Sequence, residues 1–364
     1  MIVAIDVTTL RGHISGVGYY TARIVEHLAQ RVGQDVSELL LLSNGPVERA
    51  LPASARLVHG FRFPVRSVWM QFLLPLLLRK LRPDLVHYTN YLAPAVWSGA
   101  YVVSIHDMSL ARTPEHHTLK KRLLTASLVP AVARGARLVL TPSRATTRDV
   151  VKDLRLPEDR VVSIPYAAAE MFRPVTGRPT AARLDTPYFL FVGTIEPRKN
   201  LVRLMDAFAA FARETPGVNL VLAGQRGWKC EDIYARAAQP DVADRTIILD
   251  YVSEDSLPSL YSHALACVYP SLFEGFGFPV VEAMACGTPV LTSNTTSLGE
   301  IGEGAALLVD PLDTAAISAG LRTLARSREL REDLRKKGLA RAASFSWAET
   351  GRKTLAAYRQ AIAK

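Results

Sequence analysis

Cysteine is scarce in this chain: Cys230, Cys267 and Cys286 are the only three in 364 residues, odd in number and widely spaced. No CxxC pair occurs, which argues against a disulfide framework or a zinc site and favours a reducing cytosol. Long apolar runs are also absent. The most apolar stretch, VWMQFLLPLLL at 68–78, is too short to span a bilayer and contains Pro75. The N-terminal MIVAIDVTT carries no basic segment and no cleavage site, so no signal peptide is expected. There is no fixed-period repeat, no D-x-D and no G-x-G-x-x-G fingerprint. The missing fingerprint excludes a nicotinamide-dependent oxidoreductase.

What is present points to a large folded protein. Apolar residues make up 49% and charged residues 21%, enough to bury sizeable cores and too ordered a composition for a disordered chain. The length suggests two domains of ordinary size. Lys and Arg number 44 against 34 Asp and Glu, a formal charge of +10. That excess implies an anionic partner: a phosphorylated ligand, nucleic acid or an anionic membrane surface. Ordinary solvated lysines and arginines are the plain alternative. No aromatic-basic interleaving or nucleic-acid motif occurs, so nucleic acid is not expected.

Short apolar, β-branched runs alternate with helical patterns in both halves. The first half offers strands at 2–6, 39–43, 84–88, 101–105, 137–141 and 160–164, with amphipathic stretches such as 118–134 and 143–154 between them. The second offers 188–193, 219–224, 245–249, 266–270, 289–293 and 306–309. Apolar strands alternating with helices mean parallel sheets covered on both faces. RPVTGRPTAARLDTP at 173–187 reads as a connector. The expectation is therefore α/β: two doubly wound, Rossmann-like domains facing across a cleft, residues 1–172 and 188–345, with a helical tail from about 313. Ligands on such sheets sit beyond the carboxyl ends of the strands, so the chemistry should lie in those loops.

Gly16-Val17-Gly18 opens the first helix, where backbone N–H groups can face an anion; a plain tight turn explains it as well. After YVVSI comes His106-Asp107. A histidine at the end of a parallel strand can hydrogen-bond a substrate hydroxyl, or can simply be satisfied by neighbouring backbone. His116 and His117 lie in a polar loop and carry less. In FVGTIEPRKN (191–200), Gly193 precedes Arg198 and Lys199, with Asn200 read as the cap of the next helix. Two cations at a helix start are disfavoured by its dipole, so they want an anionic partner such as a pyrophosphate. A solvated basic loop is the bland alternative.

In FEGFGFPVVEA (273–283), Glu274 lies in a glycine-containing loop and Glu282 in the helix that Pro279 opens and Gly287 ends. Val281, Met284 and Ala285 should form the buried face of that helix. A hydrolase needs its carboxylates facing each other, about 5–10 Å apart across one glycosidic bond. Placed on different elements and at different depths, this pair reads better as two hydrogen-bond acceptors gripping hydroxyls of one ligand.

FEGFGFPVVEAMACGTPV, preceded by GTIEPRKN and IHDM, resembles the retaining glycosyltransferases of family 4 (GT4), which have the GT-B fold. Glu274 and Glu282 fit their E-x7-E pattern. The start, DVTTLRGHISGVGYYTARIVEHL, and the end, FSWAETGRKTL, look like bacterial mannosyltransferases of O-antigen and related surface polysaccharides. The resemblance covers nearly the whole chain.

The resemblance implies that Arg198 and Lys199 bind the donor diphosphate and Glu282 the ribose hydroxyls. Glu274, with the amides of Gly275, Phe276 and Gly277, would hold the sugar. Gly16, Val17 and Gly18 would close over the diphosphate, His106 would contact the transferred sugar, and Tyr251 and Val252 would meet the base. It also implies a metal-independent, cofactor-free enzyme, with residues 346–364 forming a helix that crosses back to the first domain. The implied donor is a GDP-sugar, mannose or a relative, and the implied acceptor a glycan or lipid-linked glycan. A UDP- or dTDP-sugar enzyme and a non-catalytic nucleotide-sugar binding module are the alternatives. A cytoplasmic location is expected. The apolar segment 61–84 reads first as a core helix before the next strand; peripheral contact with an anionic membrane, through its Arg62, Arg66, Arg79, Lys80 and Arg82, is the alternative, with TLKKRLL at 118–124 as another candidate surface.

Overall fold

The structure, a computed structural model, describes residues 1–12, 16–59, 65–113, 115, 128–176, 184 and 186–364. His116, His117, Arg62, the segment 118–124 and most of the central stretch 173–187 lie outside the described residues. The chain divides into two compact units, Met1–Tyr166 with Ser346–Lys364, and Ala167–Phe345.

Among the described residues the first unit carries a seven-stranded, all-parallel sheet in the order β3-β2-β1-β4-β5-β6-β7. Its strands are β1 (Ile2–Asp6), β2 (Glu38–Ser43), β3 (Ala55–His59), β4 (Leu85–Tyr88), β5 (Tyr101–Ser104), β6 (Leu138–Thr141) and β7 (Val161–Ser163). The six apolar runs of the sequence all appear. β3, ARLVH, is not among the expected strands: at the edge it is only partly buried and lacks the continuous apolar signature of its neighbours. The second unit's sheet runs β10-β9-β8-β11-β12-β13, also parallel. Its strands are β8 (Tyr188–Val192), β9 (Asn219–Ala223), β10 (Thr246–Leu249), β11 (Ala266–Tyr269), β12 (Val290–Ser293) and β13 (Leu307–Val309). Strand order reverses between β1 and β4 in the first sheet and between β8 and β11 in the second, which makes the loops after those strands the binding positions of this architecture.

The final helix, Trp347–Ala363, belongs to the first unit although it is last in sequence. Its N-cap Ser346 accepts from the Glu349 amide at 3.1 Å. Tyr358 on this helix is fully buried and meets Nδ1 of His87 on β4 at 2.6 Å. His87 Nε2 reaches Ser104 Oγ on β5 at 2.9 Å, and that hydroxyl meets the Tyr20 phenol of the helix Gly16–Ala29 at 3.0 Å. This polar chain joins four elements through the core. Burial, reinforced by the neighbouring His106, lowers the His87 pKa to about 3, so the ring is neutral. None of the described helices is long and apolar enough to cross a membrane.

The segment 65–81 is both core and surface. It is helical through Arg66–Val68, a π-helical turn Trp69–Leu73 and Leu74–Leu81. Trp69, Met70, Leu74 and Leu78 are buried, whereas Val65, Val68, Phe72 and Leu76 are exposed. Arg66 is not available to headgroups: it is half-buried and ion-paired to Asp6 at 3.1 Å.

Candidate functional site

The loops after β8 and β11 meet at the reversal point of the second sheet. The strand β8 ends at Val192, and the loop runs from Gly193 through Glu196 into a single 3-10 turn, Pro197–Lys199. The loop after β9 supports it backbone to backbone. The Gly193 and Ile195 amides donate to the carbonyls of Ala223 and Gln225, both at 2.9 Å. A Cβ on Gly224 (φ +155°) would stand 1.9 Å from the Gly193 carbonyl oxygen, so only glycine allows this approach.

Arg198 and Lys199 are not solvated cations. Lys199 Nζ donates to Glu274 Oε1 and to the Tyr269 hydroxyl, both at 2.6 Å. Arg198 Nη1 donates to Glu274 Oε2 at 2.8 Å and to the Phe273 carbonyl at 2.6 Å, and its Nη2 to Glu196 Oε1 at 2.8 Å. Glu274 Oε1 also accepts from Ser271 Oγ at 2.7 Å and Tyr269 OH at 3.2 Å. Two cations and two carboxylates thus form a compact, formally neutral cluster. The helix-dipole argument for an anionic partner is met here by Glu274 and Glu196, within the protein.

The cluster sets the charge states. Burial works to raise the Glu274 pKa, but the charges of Arg198 and Lys199 and the hydrogen bonds from Lys199 and Ser271 outweigh it and hold the carboxyl at about 2. Burial and the adjacent Arg198 lower the Lys199 pKa, against the pull of Glu274 and Glu196. Glu196 is buried, and its Oε2 has no hydrogen-bond partner among the described residues. Sequence reasoning passes over Glu196, although its place two residues before Arg198 in a strand-end loop is a usable signal.

The loop carrying Glu274 is held firmly, contrary to the flexibility its glycines suggest. Ser297 Oγ lies 2.9 Å from the Glu274 carbonyl and 3.0 Å from that of Phe276. Phe276 is buried with its ring edge-on to Phe278 and Phe345. Gly277 takes φ +102°, where a Cβ would lie 2.6 Å from Leu298 Cδ2. It starts the helix Phe278–Ala285, in which Val280, Val281, Ala283 and Met284 are buried. Ala285, expected on the buried face, is only partly covered, whereas Val280 and Ala283, outside that expected face, are buried.

Glu282 lies on that helix, half-buried, and its Oε2 accepts from the Tyr261 hydroxyl at 3.1 Å. Burial raises its pKa to about 7, against the Tyr261 hydrogen bond and helped by Glu254. The two glutamates therefore occupy opposite environments, one held as a carboxylate by cations and one near the point of neutralisation. Tyr251 is exposed and Val252 half-buried in the loop after β10. Asn200 does not cap the next helix with its side chain, as the sequence suggests it would. Its Nδ2 ties the loops together instead, donating to the carbonyls of Pro270 at 3.1 Å and Pro311 at 2.7 Å.

In the first unit, Gly16, Val17 and Gly18 begin the helix Gly16–Ala29, with Gly16 exposed and Gly18 buried. His106 follows β5. Its Nε2 donates to the Thr89 carbonyl at 2.7 Å, so its Nδ1 accepts from the Tyr166 hydroxyl at 2.8 Å. Both ring nitrogens are thereby engaged, and burial lowers the pKa despite the Thr89 carbonyl and Asp107. Contact with a ligand would use the ring edge or exchange one of these bonds. Asp107 serves locally: its Oδ1 accepts from the Ser109 amide at 2.9 Å and hydroxyl at 2.6 Å, opening the helix Ser109–Arg112. Asp6, buried at the end of β1, accepts from Thr8 and Arg66, and nothing local in the sequence singles it out.

Residues 175–341 match the family "Glycosyl transferases group 1", and residues 14–167 match "Glycosyltransferase Family 4". The chain is 31% identical to O-antigen chain mannosyltransferase B of Escherichia coli, over 95% of its own length and 96% of that protein's. Among solved structures, sucrose-phosphate synthase from Thermosynechococcus elongatus gives a TM-score of 0.80 at 22% identity over 99% of each chain. HepE of Anabaena, solved in complex with UDP-glucose, gives 0.76 at 17% identity over 98% of each chain. At such identities these two structures speak for the fold, and the sequence relationship for the family. The chain belongs to the group 1, family 4 glycosyltransferases and has their GT-B fold.

Proposed function

We propose that the protein is a retaining mannosyltransferase, or one for a closely related hexose. It would take the sugar from a GDP-linked donor to a lipid-linked oligosaccharide or polysaccharide in cell-surface glycan synthesis. The observation that carries this reading is the Arg198–Lys199–Glu274 cluster at the strand-order reversal, in a chain aligned end to end with an O-antigen mannosyltransferase. Arg198 and Lys199 bind the donor diphosphate, with the planar guanidinium and the compact ammonium complementing its oxygens. Glu274 and the backbone at Gly275, Phe276 and Gly277 hold the sugar, and Glu282 accepts from the ribose. Tyr251 and Val252 meet the base, with the Gly193 turn beneath the phosphates. The same reading gives Gly16, Val17, Gly18 and His106 contacts to the donor.

In the proposed reaction an acceptor hydroxyl oxygen bonds to the anomeric carbon as that carbon's bond to the diphosphate oxygen breaks, on the same face. The hydroxyl proton passes to the departing phosphate, so configuration is retained without a protein nucleophile. The two cations carry the charge that develops on the leaving group, the work a metal ion does elsewhere. Glu274, held near pKa 2 by those cations, is a poor proton carrier at neutral pH and suits a holding role.

A UDP-sugar donor is the second reading, because HepE, of the same fold, is solved with UDP-glucose. Thermal shift with GDP, UDP and dTDP separates the two. A selective shift by GDP, followed by GDP release from GDP-mannose in the presence of a lipid-linked oligosaccharide and a chelator, is the expected result. Selective stabilisation by UDP moves the donor to the second reading; no shift by any of the three removes the donor assignment.

A further inference from the structure

We infer that Glu196 is a positioning residue that pins the Arg198 guanidinium, so that Glu274 is the group that yields when a diphosphate arrives. The inference rests on the reading that Arg198 and Lys199 bind the donor diphosphate. Glu196 is 2% exposed, and its Oε1 accepts from Arg198 Nη2 at 2.8 Å. Among the described residues Arg198 is the only cation within ion-pair distance of this carboxylate, and Oε2 has no hydrogen-bond partner. A buried carboxylate is costly unless it is paired. An Arg198 that swung away to follow a ligand would strand Glu196 without a counter-charge, so the guanidinium stays.

Glu196 is itself held in place. Its carbonyl accepts from the Lys199 amide at 3.0 Å, at the start of the 3-10 turn. The loop after β9 closes against it. The Gly227 amide donates to the Ile195 carbonyl at 3.0 Å, and a Cβ at Gly227 would stand 2.7 Å from that oxygen and 3.4 Å from Glu196 Cβ. Glu274 is the opposite case: without the cations its Oε1 still accepts from Ser271 and Tyr269. The two carboxylates therefore divide one guanidinium. Glu196 keeps Nη2, and Nη1, which Glu274 shares with the Phe273 carbonyl, is the end that a phosphate oxygen takes over. The charge of Glu196 also weakens the pull of the site on a diphosphate, so orientation is held at the expense of affinity.

Glu196→Gln keeps the size and the acceptor and removes the charge. Its kcat for transfer should fall about tenfold or more, whereas GDP or UDP, whichever stabilises the protein, should bind as tightly as to the parent or more tightly by calorimetry. A merely structural lesion would weaken both. In an Arg198→Ala background the same change should cost no further activity, because no guanidinium is left to pin. Without any ligand, rotation of the Arg198 guanidinium about its Nε–Cζ bond, followed by nitrogen-15 NMR, should become several-fold faster in the glutamine variant. Should that variant not fold, Glu196→Asp, which keeps the charge but draws it back from Nη2, gives the rotation and the transfer readings. The inference is overturned if Glu196→Gln transfers as the parent does, if affinity and transfer fall together, if the two losses add, or if the rotation is unchanged. If Arg198→Ala binds the nucleoside diphosphate as the parent does, the donor reading fails instead, and the rotation still decides whether Glu196 pins Arg198.

Discussion

The ammonium of Lys199 lies 2.6 Å from Oε1 of Glu274, 75 residues away in sequence. The same carboxylate takes Arg198 on its other oxygen at 2.8 Å. On the proposed reading, a diphosphate approaching these cations would compete with a carboxylate already in place, and Glu274 would be released to the sugar as the phosphates take over its partners.

Removing that competitor separates diphosphate binding from transfer. Glu274→Gln is expected to bind free nucleoside diphosphate up to about tenfold more tightly, as some 1.4 kcal/mol of internal competition disappears. Sugar transfer should fall about a hundredfold or more. Calorimetric titration with the diphosphate beside a transfer assay decides it; parallel losses in both would count against the exchange.

Lys199→Ala should lower stability at neutral pH and make the fold less sensitive to acid. A carboxyl held at about 2 contributes stability that is full above the ordinary carboxyl range and lost as pH falls through the folded-state value. With Lys199 gone that value rises, so less of this stability is present at neutral pH and less is lost on acidification. Urea midpoints measured between pH 3 and pH 6 should converge on the parent as pH falls, from a loss of about 1–3 kcal/mol at neutral pH. A constant offset across the range would contradict it.

Glu282 predicts a pH dependence of the opposite sign. Its pKa is raised to about 7, so stability is full below the ordinary carboxyl value and declines as pH rises to about 7. Glu282→Gln should therefore gain stability relative to the parent at pH 8, on the order of 1–3 kcal/mol. If the ionised carboxylate grips the ribose, donor affinity should climb between pH 6 and pH 8 in the parent and stay flat in the variant. Equal slopes would remove Glu282 from donor binding.

Tyr358→Phe removes the hydroxyl paired with His87 Nδ1 at 2.6 Å and leaves a buried ring nitrogen without it. A loss of about 1–3 kcal/mol is expected, seen as a lower melting temperature and faster amide exchange in the last helix. Unchanged exchange there would mean the network does not anchor it.

Gly224→Ala should damage a site it never touches. The added methyl meets the Gly193 carbonyl, which must move, and Arg198 and Lys199 follow in the same loop. We expect a cost of at least about 2 kcal/mol and weaker diphosphate binding. Normal affinity in a folded variant would show that the loop tolerates the shift.

Much of the fold is legible in the order of the residues. Parallel strands buried on both faces declare themselves as apolar runs, and both sheets follow from them except at β3, whose edge position leaves it half exposed. Such a topology puts chemistry at strand ends, which singles out Arg198, Lys199, Glu274, Glu282 and His106. Glu196 and His87 escape that reasoning for one cause: each matters only through a partner that local sequence does not place beside it.

By itself the sequence determined the two-sheet architecture, the family and the loops that bear charge, because periodicity, glycine placement and motif order are local. Only the tertiary structure decided how those charges pair. The Arg198–Glu274 and His87–Tyr358 contacts span 76 and 271 residues. It also decided that Glu274 and Glu282, identical in chemistry and eight positions apart, titrate at about 2 and about 7. Burial and neighbouring charge set a carboxyl's proton affinity, and both are products of packing rather than of the residue's name.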